Sequence, residues 1–470
     1  MSDPPFAMNT PSYLRRRCLL IALSSLLVLP GPLFPQGPLA PPPGMPAPTM
    51  KSLDQVEART VINALNAPGD STNQFIISQP GSYYLTGNIT GMSGRSGINI
   101  TANNVQIDLN GFSLVGVAGS LFGIAVPAPI SNLTVRNGVV RDWGSEGLSA
   151  YNAVNSRFKE IRAYGNSVWG MVIGVGSGID SCQAFSNGAG STVGGGIFAR
   201  FSSAISNCVA EGNTTHGIYT EDGCTISGCT AGDTALGGTA NGQGIICGLG
   251  CSITGCSARS NAGDGITISN EGMVNFCAVS NNLNGIAAGN NCSISNCTAS
   301  GNRRAGVATG SGCMITSCAA SGNAKLFGSN FDAGIRAGAG SVISLCATSG
   351  NQLGGIYAPD STLISRCSSV GNLTGGILVQ GACTVQDCLV VGNAAGISMD
   401  GGANRIDGNN VARSSPFPDI SSSATLFTSG QTVIIRNSVS KSILATSGVD
   451  IAPQGPAATV ISPWANLKQP

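Results

Sequence analysis

The sequence predicts an all-β protein, a single-stranded right-handed parallel β-helix (a solenoid) with terminal caps, on three observations. Cysteines recur at intervals of 20, 21 or 26 to 28 residues, an aliphatic or aromatic residue stands three positions before each, and an Asn stands five positions after nearly all. A period near 21 made of short apolar triplets leaves no run long enough for an amphipathic helix, so each coil holds a few short strands with bends between them. Leucine-rich and helical-hairpin solenoids are thereby excluded. The left-handed β-helix wants a hexapeptide pulse and the calcium-binding type wants Gly-Gly-x-Gly-x-Asp; neither is present.

Composition agrees. A repeat array can occupy all 470 residues as one body. Gly accounts for 67 of them and aromatics for 5%, a mixture suited to many tight turns around a narrow interior. Formal net charge is +1 and only 10% of residues are charged, with no basic run beyond Arg15, Arg16 and Arg17. Nucleic acid and anionic membrane surfaces both need clustered Lys and Arg, so neither is expected as a partner.

Taken from the start, residues 1–50 read as a signal or anchor segment and Pro-rich linker: Arg15 to Arg17, an apolar run from Cys18 to Leu29, then Pro-rich sequence to Pro48. That run is too short to span a bilayer comfortably and matches a signal-peptide core. An extracellular, periplasmic or cell-surface location is therefore expected, with an uncleaved anchor as the alternative. Residues 51–97, including Pro80-Gly81-Ser82-Tyr83-Tyr84-Leu85, are expected to cap the open N-terminal sheet edge. Residues 98–412 hold the coils, and 413–470 the last strands and C-terminal cap.

Within the array the anchor column is Cys182, Cys208, Cys229, Cys256, Cys277, Cys297, Cys318, Cys346, Cys367 and Cys388, and Ile161 takes the same place one coil earlier. The Asn column runs through Asn166, Asn187, Asn213, Asn261, Asn282, Asn302, Asn323, Asn351, Asn372 and Asn393, interrupted by Thr234. Stacked coils lie about 4.8 Å apart, so each column becomes a ladder along the axis. Inward Asn amides at a bend can pair with those above and below while satisfying turn backbone. These Asn are expected to be structural. Each unit also carries a Gly followed by an apolar residue, as in Gly217-Ile218 and Gly265-Ile266, and six positions on a second Cys, Ser, Thr or Gly column.

These repeats resemble the right-handed parallel β-helix proteins of the pectin-lyase-like fold. The Asn104-Val105-Gln106-Ile107-Asp108-Leu109-Asn110-Gly111 opening and the closing Ser462-Pro463-Trp464-Ala465-Asn466-Leu467 resemble uncharacterised exported bacterial members. The resemblance covers residues 51–470. It implies a fold and is nearly silent on activity.

Chemistry is sparse. Cys pairs such as Cys224/Cys229, Cys251/Cys256 and Cys292/Cys297 are spaced too widely for a metal site, and the chain has one His, so no metal is expected. The thiols read as small apolar fillers in stacked columns, mostly reduced, since parallel side-chain vectors fit a bridge poorly. Carbohydrate-active relatives of the resembled fold cluster carboxylates on one sheet face. This chain has no Asp-Asp step, no Gly-His-Gly and no Arg-Ile-Lys, and Asp222 and Asp360 share a column six coils apart.

One face is less bland. The position before Gly-Ile reads His216, Gln243, Asp264 and Asn284 in successive coils, with His216 and Asp264 about 10 Å apart. Outward positions nearby carry Phe198 and Tyr219, then Arg200 beside Glu221. Three longer insertions, residues 188–195, 234–243 and 324–333, enter at the same corner and are expected to wall this face. A solvated face with an Arg200/Glu221 surface pair is the plain reading, and an aromatic-plus-polar sugar groove the functional one. The expectation is an exported, non-enzymatic scaffold or recognition protein, without cofactor, contacting polysaccharide or a cell-surface component. The alternative is a polysaccharide lyase, glycoside hydrolase or epimerase using His216, Asp264 and Glu221, with calcium only in the lyase case.

Overall fold

The computed structural model describes residues 58–234, 242–325, 332–422, 432–440, 443–444, 449–451, 454–455 and 465–468. The expected targeting segment lies outside the described residues, as do residues 235–241 and 326–331 of two insertions and much of 423–470.

Each apolar triplet becomes a strand because its central residue alone points inward. Ser293–Ser295 and Thr298–Ser300 bury only Ile294 and Ala299, and the neighbours of those residues face out. Among the described residues the strands pair in parallel and in column register, apart from an isolated antiparallel bridge between Pro68 and Phe75: Ile226 lies against Ile253, Ile253 against Val274, Val274 against Ile294 and Ile294 against Ile315. The result is a β-solenoid of about 16 turns. In most coils two of the three strands belong to one large parallel sheet, the triplet sheet, and the third, which carries the Gly-apolar step, to a second parallel ladder, the Gly-Ile ladder; Ile130–Ser131 and Ala153–Val154 form a separate two-stranded sheet. Among the described residues no helix is long and apolar enough to cross a membrane.

The ladder register already runs within 58–97, where Asn73–Ile77 pairs with Ser96–Ile100 and Gly81–Tyr84 with Val105–Asp108. At the other end, Thr432–Ile435 pairs with Val449–Ile451.

The bend between the two triplet strands falls on the residue before the anchor Cys. It is left-handed in coil after coil, at Ser181, Asn207, Gly228, Gly255, Phe276, Asn296, Ser317 and Leu345. Five residues beyond the anchor stands the Asn ladder. Asn282 donates its backbone N–H (2.9 Å) and amide Nδ2 (3.2 Å) to Asn302 Oδ1, and Nδ2 also reaches back to Ala258 O (3.0 Å). The same pattern links Asn302 to Asn323 and Asn323 to Asn351, all fully buried. Thr234 breaks it for lack of an amide, and its Oγ1 has no hydrogen-bond partner among the described residues.

The Gly of each Gly-apolar step is explained by this ladder. A Cβ on Gly285 would sit 2.8 Å from Asn302 Nδ2 and against Gly306 O of the next coil. Only glycine lets the Asn amide close over the backbone.

The cysteines do more than fill space. Cys208 N donates to Cys229 Sγ at 3.4 Å, and Cys229 Sγ lies 3.3 Å from Ser227 O. Toward the C-terminus the column changes residue type and keeps its job: Cys388 N donates to Asn409 Oδ1, Asn409 N to Asn437 Oδ1 and Asn437 N to Asn466 Oδ1, each at 2.9 Å. Cys and Asn thus both supply an acceptor to the neighbouring coil's amide.

Candidate functional site

On the outer side of the Gly-Ile ladder two columns face away from the core. One is the residue before the Gly, the other the residue after the apolar position. Strand pairing puts Trp169, Gly195, His216 and Gln243 in the first, and backbone bonds from Gly244 to Asp264 O and from Gly265 to Asn284 O extend it. The stripe read from the sequence therefore forms one continuous column. In the second, Val172, Phe198, Tyr219, Ile246, Thr267 and Ala287 follow one another.

The two columns meet in an aromatic cluster. Phe198 and Tyr219 have ring centroids 5.3 Å apart, Trp169 lies 5.6 Å from Phe198, and the Trp169 ring stacks with His216 at 6.1 Å. Trp169 and His216 can face each other because Gly195 stands on the rung between them. A Cβ there would lie 2.8 Å from Trp169 Cζ3. A hollow of about 310 Å³ is lined by Trp169, Val193, Phe198, His216 and Tyr219. Val193 belongs to the 188–195 insertion, so that insertion contributes a wall.

Sequence reasoning missed Trp169. The signal was available, since Trp169-Gly170-Met171 occupies the same frame as His216-Gly217-Ile218, but Gly195 hides the column between them. Tyr151 was missed as well. The Arg200 guanidinium sits over its ring, 4.1 Å from the centroid.

Arg200 and Glu221 are brought together as expected, with Nε 3.4 Å from Oε2 and both side chains mostly buried. The contact is an ion pair without a directed hydrogen bond, because Nε has no hydrogen-bond partner among the described residues. Glu221 Oε2 also accepts the Phe201 backbone N–H at 3.3 Å. Asp264 is occupied elsewhere, its Oδ1 accepting Asn284 N (2.9 Å) and Nδ2 (2.8 Å). No hydrogen bond or ion pair between described residues links His216 to Asp264 or Glu221; its ring neighbours are Trp169 and Tyr219.

Burial holds the His216 imidazole below its ordinary pKa, so the ring is neutral at neutral pH, and its Nδ1 is buried without a partner among the described residues. Gln243 Oε1, Thr267 Oγ1, Asn99 Oδ1 and Arg336 Nε, also in these two columns, are likewise buried and unpartnered among the described residues. The outer face of the triplet sheet carries no such atom among them. Unmet hydrogen-bonding capacity thus recurs along these columns, as it does at Gln74, Thr309 and Ser422 elsewhere, and at His216 it stands among aromatic rings. Apolar ring faces with polar groups at their edges suit a ligand that is apolar on its flat side and hydroxylated at its rim. Among the described residues no group of three or more His, Cys, Asp or Glu side chains is placed to hold a metal ion.

No curated protein sequence matches the chain. Among solved structures, the periplasmic alginate epimerase AlgG aligns at 11% identity over 80% of this chain and 79% of its own, with a TM-score of 0.37. The A-module of the Azotobacter vinelandii mannuronan C-5 epimerase AlgE4 aligns at 13% identity over 83% and 91%, TM-score 0.30. The catalytic domain of a GH87 alpha-1,3-glucanase aligns at 14% over 92% and 70%, TM-score 0.32. No residue role transfers at such identity. The match that bears on this chain is to a family model: residues 247–411 fit the one described as a right handed beta helix region, which sets the hand of the solenoid, and the protein is a right-handed parallel β-helix.

Proposed function

We infer that this protein is an exported, non-enzymatic β-helix whose Gly-Ile face binds a polysaccharide lying along the solenoid axis. The observation that carries the reading is the cluster of Trp169, Phe198, His216 and Tyr219 around one hollow, next to the unpartnered His216 Nδ1 and Gln243 Oε1. Sugar rings stack their C–H faces on aromatic rings and present hydroxyls at the edge, which is where the unmet donors and acceptors stand. Repeating rungs at about 4.8 Å suit a repeating ligand. Phe198, Tyr219, Gln243 and Asn284 supply contacts, and Arg200, paired to Glu221, braces Tyr151 beside them.

A second reading, catalysis by a lyase, hydrolase or epimerase, is favoured by one feature, the neutral His216 with a free Nδ1 at the hollow. It lacks a carboxylate partner there, since Asp264 holds Asn284 and Glu221 holds Arg200.

A glycan array with a polysaccharide-degradation screen, run with and without calcium, tests both. Binding without turnover, weakened at least tenfold by Trp169→Ala or Tyr219→Ala, is expected. Turnover abolished in a His216→Ala/Asp264→Ala double variant overturns the non-enzymatic reading, and no binding to any glycan overturns the recognition reading.

A further inference from the structure

Five rungs beyond Tyr219, about 24 Å along the axis, the same outward column carries a second polar feature. Strand pairing continues from Ala287 through Ala308 to Arg336 and then Tyr357. A hollow of about 330 Å³ opens here, with Thr267 at one end, Arg336 at the other and a floor of Ala287, Ala308 and two glycines between. Across this small floor both end residues stay half-buried, not enclosed. Thr267 Oγ1 and Arg336 Nε are both buried and lack hydrogen-bond partners among the described residues.

The two arginines of this face differ. Arg200, at the aromatic end, has Glu221 at 3.4 Å and the Tyr151 ring beneath it. Arg336 has no carboxylate within ion-pair distance among the described residues. Of the nearby acids, Asp332 pairs with Arg304 Nε at 3.2 Å, while Asp360, whose Oδ1 accepts the Gly381 backbone N–H at 2.8 Å, and Asp400 act on the neighbouring Tyr357 without an ion pair to Arg336. One end of the track therefore holds its arginine in an ion pair and the other presents a guanidinium without one among the described residues, a planar fork suited to contact with an oxyanion.

We propose that the Thr267–Arg336 hollow is a separate anion subsite, so that the ligand is a glycan with a neutral sugar on the aromatic cluster and an acidic substituent, carboxylate, sulfate or phosphate, about 24 Å away. Arg336 receives the anion, and Thr267, three rungs or about 14 Å nearer the aromatic cluster, a hydroxyl of the intervening chain. The inference rests on the reading of this face as a glycan track.

The test uses the full chain on an array that pairs acidic glycans with neutralised partners: chondroitin sulfate with desulfated chondroitin, polygalacturonate with its methyl ester, and phosphorylated with dephosphorylated mannan. Wild type, Arg336→Gln, Arg336→Lys and Trp169→Ala are compared, with far-UV circular dichroism confirming that each is folded. One charge-assisted contact predicts a preference of about tenfold for at least one acidic member over its partner. Arg336→Gln should erase it and leave neutral-glycan binding unchanged, and Arg336→Lys should retain part of it. The acidic series that shows the preference identifies the anion. An acid-to-neutral ratio unchanged in Arg336→Gln, or no preference in wild type, overturns the subsite while leaving the glycan reading to Trp169→Ala. Binding that depends on Arg336 and is indifferent to Trp169→Ala overturns the glycan reading instead, and no binding at all overturns both.

Discussion

At single positions the bend column carries the clearest energetic conflict. Phe276 and Leu345 stand where most other coils place Gly, Asn, Ser or a charged residue, with φ of 52° and 56°, and they remain 63% and 56% exposed. A bulky L-residue in the left-handed region costs about 1 kcal/mol or more, and exposure returns nothing for it. Phe276→Gly and Leu345→Asn are therefore expected to raise the urea denaturation midpoint, each by the equivalent of about 0.5–1 kcal/mol. The ladder asparagines lie at the other extreme. Asn302→Ala strips the acceptor from Asn282 N and Nδ2 and the donor from Asn323 Oδ1, leaving buried groups unpaired. A loss of about 2–4 kcal/mol is expected by the same measurement. His216 has a pH signature. Burial depresses its folded pKa below the unfolded value, so the unfolded chain takes the proton first. Its contribution to stability is intact above pH 6.5 and falls as pH drops from there toward the folded pKa. Comparing denaturation midpoints at pH 7.5 and 5.0, wild type should lose more than His216→Gln over that interval; an equal loss would contradict a neutral, buried imidazole.

At the scale of strands and ladders, the Gly-apolar step is a packing requirement imposed by the next coil. Gly285→Ala would push a methyl against Asn302 Nδ2 and Gly306 O, and a loss of about 1–3 kcal/mol is expected from such overpacking. Gly250→Ala offers the contrast, since open space surrounds it and its φ of 61° makes its cost conformational, about 1 kcal/mol. Equal losses in the two variants would show that the Asn ladder does not press on the glycine column. The same logic explains Gly195, whose missing side chain lets Trp169 and His216 stack across it.

Over the whole molecule, stability in a solenoid comes from each coil meeting its neighbours, so no single core decides it. The cysteines report on that continuity, because the sixteen within the described residues are spread from Cys182 to Cys388 and all are buried. Burial pushes the Cys383 and Cys247 thiols up, and Cys208 is pushed up to about 12 by the Cys182 thiol beside it and by burial. Stacked neighbours shift in opposite directions, Cys277 and Cys318 downward through hydrogen bonds from the thiols beside them, so inertness rests on enclosure, which all sixteen share. Ellman's reagent is expected to find at most one of the 17 cysteines in the native protein, and the rest only as coils open in denaturant. Several reactive thiols without denaturant would mean that the array opens locally.

The sequence alone determined the scaffold because a solenoid turns sequence period directly into spatial column. The Ile, Cys and Asn positions needed only a period near 21 and a rung spacing to be placed, and even the Thr234 gap in the Asn ladder was legible. The polar stripe from His216 to Asn284 was visible for the same reason. What a column does not reveal is which side chains turn toward one another across a rung, or which atoms end without a partner. Trp169 reaches His216 over a glycine, Asp264 turns to Asn284, Glu221 turns to Arg200, and Arg336 Nε ends without a hydrogen-bond partner among the described residues. Those outcomes depend on rotamers and on burial by neighbouring coils. The tertiary structure alone decided them, because hydrogen-bond satisfaction belongs to three-dimensional neighbours and not to positions in a repeat.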